Sequence, residues 1–210
     1  SFDAFIRFGG LPGLHELQAS PRATSQYLSD VFNSVLLKDV VSRNNIRDSE
    51  LLNRIIQFIF DNVGSTFSAK NISDFLKSQG RKLGVETIYN YLDYLENAFV
   101  IERVKRFDLK GRKYLETQEK IYAADVGIRN SVLGYRPSDI AGILENLVYL
   151  NLRQKGFSVS GGKTGTLEVD FVASKEEAVL YVQVCYQLTP ENLEREVAPL
   201  RKIKDNYPKL

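Results

Sequence analysis

Val85-Glu86-Thr87-Ile88-Tyr89-Asn90-Tyr91-Leu92-Asp93-Tyr94-Leu95-Glu96-Asn97-Ala98-Phe99-Val100-Ile101-Glu102-Arg103-Val104-Lys105-Arg106-Phe107 changes its period halfway along. Over the first part Val85, Ile88, Leu92, Leu95 and Phe99 form the apolar stripe of an amphipathic helix, with Glu86, Thr87, Asn90, Asp93 and Asn97 on the other face. From Phe99 the segment turns β-branched and aromatic with alternating polarity, which predicts a strand. Asp108-Leu109-Lys110-Gly111-Arg112-Lys113 reads as a turn, and Lys120 to Ala124 as the returning strand.

Two more helices precede this stretch. One runs from Leu51 to Asn62 through Ile55, Ile56 and Ile59, and the next opens on Ser68, carries Ile72, Phe75 and Leu76 inward, and stops at Gly80. Three helices followed by a hairpin is the order of a winged-helix domain, with the hairpin as the wing. Farther back, Tyr27, Leu28, Val31, Phe32, Val35, Leu36 and Val40 predict a helix over 22–41. Before it, Gly9-Gly10-Leu11-Pro12-Gly13 is a turn-rich break after a helically spaced stub, Phe2, Phe5, Ile6 and Phe8.

Toward the other end a long helix runs from Ser138-Asp139 to Lys155 and closes on Gly156. Strands are expected over 157–160, 166–173 and 178–185, with a glycine turn at Gly161-Gly162. A last helix has Pro190 in its first turn and Pro199 breaking or kinking it. The predicted fold class is α+β: a helical N-terminal segment over 1–49, a winged-helix domain over 50–127, and an α-β-β-β-α domain over 128–210.

Composition narrows the chemistry. The chain has 210 residues, enough for a core of its own, and no apolar run approaches the ~18–20 residues of a membrane span. One cysteine, Cys185, and one histidine, His15, leave neither a disulfide nor a zinc cluster, and a Ser-His-Asp site would need His15. Any metal must be held by oxygens. The sequence has no methionine, and Ser1-Phe2-Asp3 does not resemble a signal peptide, so a piece of a longer, cytoplasmic protein is expected.

Net charge is only +2, but its distribution is uneven. Arg103, Lys105, Arg106, Lys110, Arg112 and Lys113 set six cations against one acid, Asp108, over eleven residues of the hairpin. With Thr87 and Asn90 on the preceding helix, and Lys70, Arg81 and Lys82 beside it, they form a candidate surface for gripping DNA phosphates, with strongly salt-dependent binding. A solvated hairpin or a protein-docking surface is the alternative.

A second constellation is Glu145 on the long helix, Glu168 and Asp170 on one strand, and Gln183 on the next. Paired carboxylates suit Mg²⁺ and the activation of water against a phosphodiester, with Glu145 and Asp170 as candidate ligands. A lysine is expected two residues beyond Gln183, to stabilise developing charge, and Cys185 stands there. Lys155, Lys163 and Lys175 are candidate displaced cations, and the sequence selects none of them. Gly161-Gly162-Lys163-Thr164 imitates a P-loop tail, but Phe157 occupies the position of its first glycine.

Several phrases, taken in order, resemble a known family: Phe8-Gly9-Gly10-Leu11-Pro12-Gly13, Leu37-Lys38-Asp39-Val40, Ile46-Arg47-Asp48, Thr87 to Phe99, Leu144-Glu145-Asn146-Leu147-Val148-Tyr149-Leu150, and Glu168-Val169-Asp170-Phe171-Val172-Ala173. Together they are similar to the C-terminal region of the predicted AAA+ family ATPases of bacteria and archaea, a domain of unknown function combining a winged helix with a restriction-endonuclease-like fold. The resemblance implies that residues 1–49 connect to an upstream ATPase domain, which would hold the ATP site, and that the sheet continues past Leu210. It also maps Glu145, Asp170 and Gln183 onto the acid, acid and acid-or-amide positions of the PD-(D/E)xK nucleases, with Cys185 departing from the lysine. The expectation is a DNA-binding, nuclease-like region with a degenerate site and no ATPase activity of its own. A non-catalytic module regulating the ATPase and an active metal-dependent nuclease are the alternatives.

Overall fold

Ser1 starts the first helix, α1 (Phe2–Phe8), its hydroxyl accepting the N–H of Ala4. The computed structural model describes residues 1–15 and 20–210; the side chains of His15, Glu116 and Thr117 lie outside the described residues, and with them the expectation for His15. The chain forms two units. One comprises Ser1–Val63, Phe67–Glu102 and Ile121–Pro137, the other Gly64–Thr66, Arg103–Lys120 and Ser138–Leu210.

In the first unit α2 (Pro21–Val35) begins on Ser20, with Pro21 in its first turn. It passes into a π-helical segment, Leu36–Ser42, so the helix expected over 22–41 has two windings. Next come α3 (Ser49–Asp61), capped by Asp48, then α4 (Ala69–Ser78), capped by Ser68, and α5 (Val85–Asn97). Leu52, Ile55, Ile56, Ile72, Leu76, Ile88 and Leu92 are fully buried in one core. Burying such side chains stabilises the fold by about 1.5–3 kcal/mol each before ordering costs.

Two residues of the α5 stripe are not in that core. Val85 is exposed, and Phe99 is 80% exposed. The N–H groups of Phe99 and Val100 bond to the carbonyls of Glu96 and Leu95, closing α5 with Phe99 at φ 54°. That left-handed turn, usually a glycine position, swings the ring out of the stripe.

The periodicity gave no warning of α6 (Val126–Leu133), because its buried residues mix Val126 and Gly127 with the polar Arg129 and Asn130. Arg129 is 1% exposed and donates from Nε to the carbonyl of Phe60, while Asn130 donates to the carbonyls of Ile6 and Arg7. Asp125 caps the helix through the N–H groups of Gly127 and Ile128, and also accepts the N–H of Gly10 at 2.8 Å. Burial pushes the Asp125 carboxyl up, against the pull of those three donors. A Cβ on Gly9, which sits at φ 72°, would fall on this carboxylate, so the Gly-Gly turn is a site of close approach.

Most sheet residues belong to the second unit. The strands are β1 (Thr66–Phe67), β2 (Ile101–Asp108), β3 (Lys113–Ala123), β4 (Ser158–Thr164), β5 (Leu167–Lys175) and β6 (Ala178–Val182), in the order β1-β3-β2-β4-β5-β6. β2 and β4 run parallel, with Arg106 opposite Gly161 and Asp108 opposite Lys163; β4, β5 and β6 are antiparallel neighbours. With α7 (Ile140–Gln154) and α8 (Leu193–Arg201), the fold is mixed α+β on a mixed sheet.

Gly161 and Gly162 lie inside β4 rather than in a turn, and the chain reverses at Gly165, φ 65°. The reason is packing. A Cβ on Gly162 would come within 2.9 Å of Val172 and 3.1 Å of Val169, whereas Gly161 lies beneath the stems of Arg106 and Lys120. α8 starts after Pro190 and runs through Pro199, which is buried, to Arg201. Beyond α8, the N–H of Tyr181 bonds to the carbonyl of Pro208, and that of Leu210 to the carbonyl of Tyr181, placing the last residues parallel to β6. Among the described residues no helix is long and apolar enough to cross a membrane.

Candidate active site

Glu145 on α7 and Asp170 on β5 come together around one amine, that of Lys120 on β3. Nζ of Lys120 donates to Oε1 of Glu145 at 2.8 Å and to Oδ1 of Asp170 at 3.2 Å. The three side chains are 7%, 16% and 14% exposed. Burial alone would push the ammonium down, but the charges of Glu145 and Asp170, and their hydrogen bonds, outweigh it and hold Lys120 above the usual lysine value. Lys120 is thus a fixed cation at neutral pH.

The segment just after β6 holds Asp170. Its Oδ2 accepts the N–H of Val184 at 2.9 Å, and its own N–H donates to Oε1 of Gln183 at 3.3 Å. Gln183 therefore supports the backbone at Asp170 instead of joining the carboxylate pair, and its Nε2 donates to Glu196 on α8. Glu168 is half exposed and pairs with the buried Arg106, which also donates to Oε1 of Gln118 at 2.6 Å. The stems of Arg106 and Lys120 pass over Gly161, 3.5 and 3.9 Å from where a Cβ would stand, which is ordinary contact distance.

Cys185, expected at the end of a strand over 178–185, lies beyond β6, half-buried, with its thiol 3.1 Å from the carbonyl of Gln187. Of the lysines weighed as displaced cations, Lys175 donates to the carbonyl of Lys155 and Lys163 sits at the far end of β4. The sequence reading missed Lys120. Its signal was a lysine opening the apolar run Ile121-Tyr122-Ala123, a place where a solvated side chain would be unusual.

Two carboxylates from different elements give hard oxygen donors of the kind Mg²⁺ takes, and Mg²⁺ often uses only one or two carboxylates with water. Among the described residues no group of three or more His, Cys, Asp or Glu gathers for a metal. Glu145 and Asp170 are the pair that could hold Mg²⁺, and the Lys120 ammonium occupies one oxygen of each.

The candidate DNA-contacting residues divide between the two units. Lys70, Arg81, Lys82, Thr87 and Asn90 belong to the first, where Arg81 lies 3.5 Å from Glu50 and 3.9 Å from Asp48. In the second, Lys105, Lys110, Arg112 and Lys113 are exposed along the hairpin, whereas Arg103 pairs with Glu119 at 2.9 Å and Arg106 is withdrawn into its pair with Glu168. Four of the six hairpin cations thus face solvent.

Residues 1–139 match the model of a family described as a domain of unknown function (DUF8612). An uncharacterized protein of Haemophilus influenzae is 36% identical over 209 residues, covering 100% of this chain and 51% of its own length. Uncharacterized protein MJ1544 of Methanocaldococcus jannaschii is 33% identical over 206 residues, covering 96% of this chain and 45% of its own. The chain spans about half the length of these relatives. No solved structure matches. With the family model covering well over half its residues, the chain belongs to the family of this domain of unknown function, DUF8612.

Proposed function

We propose that this chain is a DNA-binding, nuclease-like region whose site is built from Glu145, Asp170 and Lys120, and that it works beside an ATPase domain in the longer protein. One observation carries the reading: a single buried amine within hydrogen-bond distance of two carboxylates from different elements. It supplies beside Glu145 and Asp170 the cation that Cys185 does not, which supports the resemblance to the PD-(D/E)xK nucleases at those two acids, with Gln183 outside the pair. The helices α3, α4 and α5 followed by the β2–β3 hairpin, with β1 beside β3, support a winged-helix reading of that part. The relatives' length, about twice that of this chain, leaves room for the ATPase domain the resemblance implies.

Each residue then has a task. Lys120, kept protonated by its partners, offers positive charge to a phosphoryl oxygen as negative charge builds there. Asp170, fixed by the Val184 N–H, and Glu145, carried on α7, present oxygens toward the same point. Mg²⁺, when held by these two, would supply Lewis-acid polarisation of the phosphodiester. Lys105, Lys110, Arg112 and Lys113 grip backbone phosphates, so affinity falls about tenfold or more between low and physiological salt.

The test is incubation of the chain with plasmid and linear duplex DNA in Mg²⁺ or Mn²⁺. Cleavage is expected in the unsubstituted chain and absent in Asp170→Asn and Lys120→Met. Salt-sensitive binding with no cleavage in either metal would overturn the catalytic part and leave a tethering module; no binding at either salt would overturn the whole reading.

A further inference from the structure

A cleft of about 690 Å³ opens in the second unit between the hairpin tip and the segment after α8, and it shares no residue with the Glu145–Asp170 site. Lys110 and Arg112 reach it from the hairpin, Lys202 and Lys204 from the other wall. All four are exposed, and none forms an ion pair among the described residues. The acid in the lining, Asp205, is already engaged, accepting the Tyr181 hydroxyl at 2.6 Å, the N–H of Tyr207 at 3.2 Å and Nζ of Lys209 at 3.3 Å. Its charge is therefore offset within its own wall.

Aromatic rings line the rest. Tyr181 is buried and Phe107 half-buried, while Tyr207 is 45% exposed and only its backbone is bonded. Cations on facing walls around an aromatic surface suit a phosphate backbone with a free base between its phosphates. In a duplex the base faces are already stacked, so an aromatic platform inside a cleft of this size favours a strand without its partner.

We infer that this cleft binds an unpaired stretch of nucleic-acid strand, its phosphates against Lys110, Arg112, Lys202 and Lys204 and a base on the ring of Tyr207. The assignment rests on the nucleic-acid reading above and adds a strand site to the duplex-gripping hairpin. Lys110 and Arg112 serve both surfaces; Lys202, Lys204 and Tyr207 belong to the cleft alone.

The experiment is fluorescence anisotropy of a labelled short oligothymidylate and a duplex of equal length, in EDTA, at low and physiological salt. Lys202→Glu with Lys204→Glu is expected to weaken strand binding tenfold or more, with a shallower salt dependence. Tyr207→Ala should weaken it about fivefold or more and Tyr207→Phe by less than about twofold, because stacking needs the ring and not the hydroxyl. Duplex binding should change less than about twofold in all three. Strand affinity unchanged in the Glu and Ala variants, or lost equally in Tyr207→Phe, would overturn the inference. EDTA removes cleavage from the readout, so a failed nuclease reading leaves this test intact, and the duplex arm reports separately on the hairpin.

Discussion

Nζ of Lys120 lies 2.8 Å from Oε1 of Glu145, and this bond ties β3 to α7. Lys120→Met would leave Glu145 and Asp170, 16% and 14% exposed, without the ammonium that bridges them. The expected cost is about 3–5 kcal/mol, read as a lower urea midpoint. Millimolar Mg²⁺ should then raise the Tm of the variant more than that of the unsubstituted chain, because the ammonium no longer competes for the oxygens. Equal Mg²⁺ responses would count against Glu145 and Asp170 as a metal site.

The same pair sets an alkaline stability window. Lys120 is raised above its unfolded value, about 10.4, so its contribution is complete below that pH and is lost as pH rises through the higher folded value. Unfolding midpoints measured from pH 9 upward should fall more steeply in the unsubstituted chain than in Lys120→Met. Parallel curves would show that the amine has no special stake in folding.

Adjacent glycines in β4 should respond in opposite ways. Gly162→Ala places a methyl 2.9 Å from Val172 and 3.1 Å from Val169, and overpacking there should cost about 1–3 kcal/mol. At Gly161 the nearest atoms to a Cβ are 3.5 Å away or more, so Gly161→Ala should be neutral or slightly stabilising. Thermal unfolding of the two variants decides; similar losses in both would contradict the packing described for β4.

Phe99→Gly should stabilise the protein by about 1 kcal/mol, since the left-handed closure of α5 suits glycine and the ring is 80% exposed. Hydrogen exchange in the last turn of α5 should slow with it. A destabilised variant would mean that the ring makes a contact worth more than the backbone strain.

Residues that speak through apolar spacing were legible in the sequence. Ile88, Leu92 and Leu95 announced α5, Ser68 announced the start of α4, and the long helix over 140–154 carried Glu145 to its place. Polar burial was silent. Arg129 and Asn130 gave α6 no apolar stripe, and Gly161-Gly162 read as a turn because a strand that other side chains cross looks, in sequence, like a strand that ends. Glu145 and Asp170 were found because acids on an apolar helix and strand are costly without a purpose. Lys120 was not legible, because its partners lie 25 and 50 residues away and the nuclease pattern puts the lysine two residues beyond Gln183.

The parallel pairing of β2 with β4 sets the order in which the chain can be completed. β3 follows β2 directly, yet the other neighbour of β2 is not made until Gly161 and Gly162 have been synthesised. A nascent chain that has reached α7 therefore carries β2 with one row of backbone groups unpaired, and Lys120 with neither the Asp170 carboxylate nor a finished sheet to receive it. The basic hairpin is made before either acid of the site, and of Lys120, Glu145 and Asp170 it is Asp170 that arrives last.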